Sequence, residues 1–392
     1  MISQVQAMPR REDVSLTPAQ TRHFLERGFS RRSFGRLATL LTAASTLPFY
    51  NEFSLAQQPG VQGLPAGAVK IDTNENPLGP CPEAADAIRN IVKDGGRYMF
   101  HLPGEFERLM AETEGLQRGC VQAYPGSSMA LHWSVLAFTS PARPFVIADP
   151  GYEPGESAAR FVGAKVIRVP LTSNYSHDVK AMASADPNAG CIYVCNPNNP
   201  SGTLTSRADI EYLLAHKPAG SIILLDEAYI HFTDERGCAD LVAAGKDLII
   251  LRTFSKVYGM AGLRAGAALA RPDLLAKIRL YGNTWMPITS MVGAMASLRV
   301  KNLVAERRKI TRETREDVFR FLEKHNFRYV PSVANFFMVD VGRPGRQVGE
   351  ALRRENVYVG RTWPSWPTHV RVTVGTPEEM DKFKAAFLKV MA

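Results

Sequence analysis

DLIILRTFSKVYGMAGLRAG, residues 247–266, opens on an apolar run and closes in a glycine-punctuated loop that carries Lys256 and Arg264. The run is too continuously apolar for a strand with one wet face. Similar segments recur upstream and downstream: PFVIADP (144–150), AKVIRVP (164–170), CIYVCNP (191–197), SIILLDEAY (221–229) and RAGAALA (264–270). Most are continuous rather than alternating, and helix-like stretches lie between several of them. Strands of that kind are buried on both faces, which predicts an α/β fold with a largely parallel sheet flanked by helices. In such sheets chemistry gathers outside the carboxyl ends of the strands.

Outward from this core the pattern changes. The stretch AQQPGVQGLPAG (56–67) reads as a linker or arm, and VKIDTNENPLGP then leads into a helix beginning near Pro82. A polar-periodic stretch from about 296 to 325 predicts one long helix. Beyond it ANFFMVDV (334–341), NVYVGR (356–361) and HVRVTVG (369–375) read as strands of a smaller α+β domain, closed by a helix from Pro377. The predicted division is an export signal and linker (1–56), an arm contributing to the small domain (57–90), a large domain (91–295) and a small C-terminal domain (296–392). There is no internal repeat.

The chain has 392 residues, 45% of them hydrophobic and 22% charged, with a net charge of +9. Part of that charge is terminal, since residues 1–56 hold seven arginines against four acids. No basic run interleaves with aromatics, so no nucleic-acid partner is expected. SRRSFGRLATLLTAASTLPF (30–49) joins paired Arg31 and Arg32 to a short apolar stretch, and SLA (54–56) follows as a small-residue cleavage site. That pattern resembles a twin-arginine export signal and predicts a periplasmic or exported protein; a surface helix with two exposed arginines is the alternative. The apolar stretch is too short for a convincing membrane span. The five cysteines (81, 120, 191, 195, 238) have no metal-like spacing and read as small buried hydrophobes.

Asp226 ends the run IILLD, where an unpartnered carboxylate is costly. Lys256 follows the next strongly apolar strand. A buried ion pair explains two such residues, but not their company. CNPNNPSGT (195–203) brings Asn199 to another strand end, DEAY brings Tyr229, and DPGYEP (149–154) brings Tyr152. PGSSMALHWSVLAF (125–138) opens a helix on Gly126, Ser127 and Ser128, whose backbone N–H groups and hydroxyls suit a phosphate. One ligand fits all of these: pyridoxal 5'-phosphate, with an aldehyde for Lys256, a ring nitrogen for Asp226, a face for Tyr152 and a phenolic oxygen for Asn199 and Tyr229. Thr253, Ser255 and Arg264 would join the two serines around its phosphate.

TNENPLGP, CNPNNPSGT, LLDEAYIHF, RTFSKVYGMAGLRAG and VRVTVGTPEE together resemble the histidinol-phosphate aminotransferase branch of the fold type I pyridoxal-phosphate aminotransferases. The likeness runs from about residue 69 to the C-terminus. It implies ping-pong Schiff-base transfer of an amino group between an amino acid, or histidinol phosphate, and a 2-oxo acid. By the same resemblance Tyr98 reaches the cofactor phosphate of a partner subunit in a homodimer, Arg371 binds the substrate carboxylate with Arg361 as companion, and Asn76 lies near the substrate mouth. Three features depart from the pattern: Met99 follows Tyr98 where proline is usual, QGLPAGAVKID (62–72) lacks a tyrosine before NENP, and WPSWP (363–367) adds two tryptophans. They point away from histidinol phosphate, as an export signal does, and leave the amino donor open between histidinol phosphate and an aromatic amino acid. Two other classes stay open, a related pyridoxal-phosphate lyase or decarboxylase and a non-catalytic secreted binding protein on the same scaffold.

Overall fold

Apolar strands without alternation need cover on both faces, and the central sheet has it. In the computed structural model of the chain the described residues are 22, 24–30, 64–282 and 285–392. The export-signal stretch, 31–56, lies outside them. The strands in chain order are β1 (Val69–Ile71), β2 (Val121–Tyr124), β3 (Phe145–Asp149), β4 (Val166–Pro170), β5 (Cys191–Cys195), β6 (Ile222–Asp226), β7 (Leu248–Thr253), β8 (Gly266–Ala270), β9 (Arg328–Val330), β10 (Phe336–Asp340), β11 (Val357–Val359) and β12 (His369–Thr373). Seven of them form one sheet in the order β2-β8-β7-β6-β5-β3-β4. Strands β3 to β7 pair in parallel, while β8 runs against both β7 and β2. Every residue of β5, β6, β7 and β8 is buried.

The helix Ser127–Phe138 packs on β2, β6, β7 and β8, and Pro154–Phe161 packs on β4. Helix starts follow the sequence chemistry. Proline opens the helices Pro82–Ile91, Pro154–Phe161, Pro272–Arg279 and Pro377–Met391, at a position whose backbone has no intrahelical N–H bond to lose. The last of these also carries a capping box, with Glu379 N–H donating to Thr376 Oγ1 at 3.2 Å and Thr376 N–H to Glu379 Oε2 at 2.8 Å.

A second hydrophobic cluster gathers Val69 and Ile71 of β1 with Phe337, Val370, Phe383 and Phe387 near the C-terminus. Strands β12, β10 and β9 form an antiparallel sheet there, and β1 pairs in parallel with β11. The arm that precedes the first helix is therefore stitched to residues almost three hundred positions away.

One expectation needs correction. The stretch 296–325 is not one helix: Ile288–Arg299 ends where Val300 turns extended, and Leu303–Lys324 begins three residues later. The first packs against Pro82–Ile91 and Leu102–Glu114, while the second runs on to bury Val318, Phe319 and Leu322 in the C-terminal cluster. A single straight helix cannot serve both. The short strands β1, β2 and β9 were also not foreseen.

Residues 24–30 dock on the large domain. Phe24 and Phe29 are buried in the main core, and the Arg27 guanidinium donates to the carbonyls of Leu136, Ala137 and Thr139 at 3.0–3.1 Å. Leu136 and Ala137 lie in the last turn of the helix Ser127–Phe138 and Thr139 is its C-cap, and the helix has no basic residue of its own in that turn. A cation at that end complements the helix dipole.

Candidate active site

Parallel strands end together, and the residues after β3, β5, β6 and β7 converge on one rim of the sheet. Cys195, Asp226 and Leu251 lie side by side in register. The reversal of β8 matters here, because its first residue, Gly266, starts from that same rim with Arg264 just before it.

Asp226 is 4% exposed and accepts two hydrogen bonds, from the Tyr193 hydroxyl at 3.0 Å and the Ala228 N–H at 3.1 Å. Burial pushes its carboxyl up to about 6; the two bonds and the nearby Lys256 charge pull the other way without offsetting it. Lys256 lies three residues past β7. Its Nζ donates to the carbonyls of Asn74 at 3.0 Å and Thr73 at 3.3 Å, and stands 5.5 Å from the Tyr229 ring centre. The Tyr229 hydroxyl accepts from Asn74 Nδ2 at 3.1 Å and Asn199 Nδ2 at 3.4 Å. Asn199 Oδ1 in turn accepts from Arg371 at 2.9 Å, and Arg371 donates to the Asp72 carbonyl at 2.8 Å. A continuous polar chain thus runs from the lysine to the buried arginine.

The anion cradle is equally local. Gly126, at φ +88°, caps the helix that starts at Ser127, so the N–H groups of Ser127 and Ser128 lack intrahelical partners. A Cβ on Gly126 would stand 2.2 Å from the Arg264 guanidinium, and one on Gly266 would stand 2.8 Å from Ser127 N. At Gly266 the crowding atoms are backbone and leave room only for hydrogen, while Gly126 also needs its positive φ. Arg264 donates to Ser255 Oγ at 3.2 Å and to the Ala261 carbonyl at 2.9 Å, and the Ser255 N–H donates to Thr253 Oγ1 at 3.1 Å. Arg264 itself has φ +56°, a left-handed backbone that a non-glycine residue adopts where its surroundings enforce it. Burial pulls its pKa down, and the Tyr152 phenol is close enough to pull it back.

Other expected residues stand further off. Asn76 donates to the Val257 carbonyl at 3.0 Å and its Oδ1 accepts from the Leu78 N–H, so it braces the loop beyond Lys256. Arg361 is paired with Glu153 and stacked on Trp363, its guanidinium carbon 3.9 Å from the ring centre. Tyr98 is 72% exposed and touches none of these groups within its own chain; it stacks on Phe100 at 5.4 Å, beside Trp285. Trp363 is not an open stacking wall, since it is 2% exposed, donates to the Gly151 carbonyl and lies under both Arg361 and Arg371.

Sequence reasoning missed Asn74, Tyr193, Glu153 and Asn335. Asn74 is fully buried at φ +56° and meets Lys256, Tyr229 and Thr373. Asparagine tolerates that backbone better than most residues, and TNEN offered a signal in its first asparagine as well as its second.

The residues present fit pyridoxal phosphate: an amine and a buried carboxylate at neighbouring strand ends, two hydrogen-bonding groups between them, and a glycine-tight cradle at a helix N-terminus. The sheet and this site define a fold type I pyridoxal-phosphate enzyme. The profile of aminotransferase class I and II matches residues 66–387, and the chain belongs to that family. It is 32% identical over 372 residues to a histidinol-phosphate aminotransferase of Moorella thermoacetica, covering 89% of this chain and 94% of that one. It is 33% identical over 343 residues to an aromatic amino acid aminotransferase of Nocardia farcinica, covering 83% and 95%. Its fold matches a histidinol-phosphate aminotransferase of Sinorhizobium meliloti, solved in complex with pyridoxal-5'-phosphate, with a TM-score of 0.78 at 24% identity over 93% of this chain and 98% of that one. The chain is a pyridoxal-phosphate-dependent aminotransferase, and the family implies an amino acid and a 2-oxo acid as substrates. No helix among the described residues is long and apolar enough to cross a membrane.

Proposed function

We propose that this aminotransferase takes its amino group from an aromatic amino acid, with Lys256 as the reactive amine and Arg371 as the seat of the substrate carboxylate. The observation that carries the assignment of roles is the polar chain Lys256, Asn74, Tyr229, Asn199, Arg371. Bound pyridoxal phosphate supplies an aldehyde that takes up the amino group and a ring that draws electrons from the substrate Cα. Lys256 Nζ would remove the Cα proton and carry it to the far end of the transfer. Asp226 would keep the ring nitrogen protonated, while Asn199 and Tyr229 would hydrogen-bond the phenolic oxygen. Tyr152 would lie against the ring, and Gly126, Ser127, Ser128, Thr253, Ser255 and Arg264 would hold the phosphate. Arg371 offers a planar fork to the carboxylate.

The aromatic donor is supported by the Nocardia relative's name and by the absence of a tyrosine in 62–72. Histidinol phosphate is the second reading, supported by the name of the Moorella relative. Purified, cofactor-loaded chain should transaminate phenylalanine, tyrosine or tryptophan with a kcat/KM at least about tenfold above that for histidinol phosphate. The reverse order would establish the second reading, and release of carbon dioxide would point to a decarboxylase.

Two further proposals concern assembly and place. Tyr98, Phe100 and Trp285 form an exposed aromatic cluster, 72%, 75% and 43% exposed, that suits a homodimer in which Tyr98 serves the other subunit's site. Light scattering giving a monomer at micromolar concentration would remove that reading. Export by the twin-arginine route rests on Arg31, Arg32 and the apolar stretch after them. Replacing both arginines by lysine should retain the chain in the cytoplasm, and an unchanged distribution on cell fractionation would refute it.

A further inference from the structure

The second arginine of the substrate mouth already has an anion. Arg361 donates to both carboxylate oxygens of Glu153, through Nη1 at 3.1 Å and through Nη2. The side chains are 17% and 22% exposed, so the pair is largely withdrawn from water. Glu153 directly follows Tyr152. The Arg361 guanidinium carbon also stands 3.9 Å from the centre of the Trp363 ring, and that of Arg371 5.4 Å from the same centre. Trp363 is fixed in turn by its bond to the Gly151 carbonyl at 2.9 Å. One buried indole therefore supports two arginines, and a carboxylate of the protein neutralises one of them.

We propose that Glu153 is a positioning residue that holds Arg361 and closes it to substrate anions, making the site selective for amino acids with one carboxylate and an uncharged side chain. The inference rests on the aminotransferase reading and on Arg371 as the carboxylate seat. An incoming dicarboxylate can pair end-on with Arg361 only by displacing Glu153 from the Nη1–Nη2 edge. That leaves a partly buried carboxylate without its counter-ion, which opposes binding. The bidentate pair also occupies the Nη1–Nη2 edge of the guanidinium, the edge a second carboxylate would need for the same end-on pairing. A neutral side chain meets no such obstacle and can pack beside the stacked pair.

The test uses unreactive carboxylates, 3-phenylpropanoate and glutarate, bound to the cofactor-loaded chain and measured by calorimetry. Wild type should bind 3-phenylpropanoate at least about tenfold more tightly than glutarate. Glu153→Gln should move that ratio at least about tenfold toward glutarate, and Glu153→Gln with Arg361→Gln should remove the shift. Glu153→Asp, which keeps the charge but shortens the reach, should give an intermediate shift and serves if the glutamine chain does not fold. Equal binding of both ligands by wild type overturns the proposal, as does a Glu153→Gln shift that is equal for both ligands or persists without Arg361. A chain that transaminates no donor at all would defeat the aminotransferase reading, while the calorimetric ratio would still decide the role of Glu153.

Discussion

Lys256→Ala should yield a folded protein that has lost amino transfer by at least about 10⁴-fold, because one substitution removes both the nucleophile and the proton carrier. The fold should survive. Lys256 is only partly buried, and the Asn74 carbonyl it leaves still accepts from Asn335 Nδ2 at 3.2 Å. Thermal unfolding of the variant should therefore stay close to wild type. Lys256→Arg should be equally inactive, since a guanidinium keeps its proton at any working pH. A small soluble amine such as methylamine should restore part of the rate to the alanine variant by standing in for the missing group. Full turnover by purified Lys256→Ala would end the assignment.

The second large effect is at Asp226. Its carboxyl titrates at about 6 in the folded, cofactor-free chain against an ordinary value of 3.8, so the folded state holds the proton more tightly than the unfolded state. Stability is then highest below pH 4 with respect to this group, and declines as pH rises from 4 to 6. Above pH 6 the whole penalty is present, on the order of 3 kcal/mol. Asp226→Asn keeps the shape without the charge, so the cofactor-free variant should be more stable than wild type at pH 8 and similar at pH 4. With pyridoxal phosphate bound the order should reverse, because a protonated ring nitrogen gives the carboxylate its counter-charge. Turnover should fall about 10²- to 10⁴-fold in the variant. Identical pH profiles for the two cofactor-free chains in calorimetric melts would show that burying the Asp226 carboxylate carries no such penalty.

These two residues were legible in the sequence for the same physical reason: a charged group at the end of a continuously apolar strand demands an explanation. The cradle was legible because glycine and serine before an apolar helix have few other uses. Glu153 was not, because the partner that gives it meaning lies 208 residues away in Arg361. Nor was the choice between Asn74 and Asn76, since only backbone geometry tells which of two asparagines turns inward. Strands β1, β2 and β9 are three or four residues long, carry mixed polarity and lie at sheet edges or in the two-stranded ribbon, where periodicity is too short to read.

The helix Ser127–Phe138 has an arginine from elsewhere at each end, Arg264 beside its first turn and Arg27 on its last carbonyls. Cutting the chain after residue 56 would remove Arg27 and leave Arg264, so three carbonyl groups at the far end of this helix would lose their donor. A trimmed preparation should therefore melt at a lower temperature than the full chain, and matching thermal melts would show that the contact carries no stability.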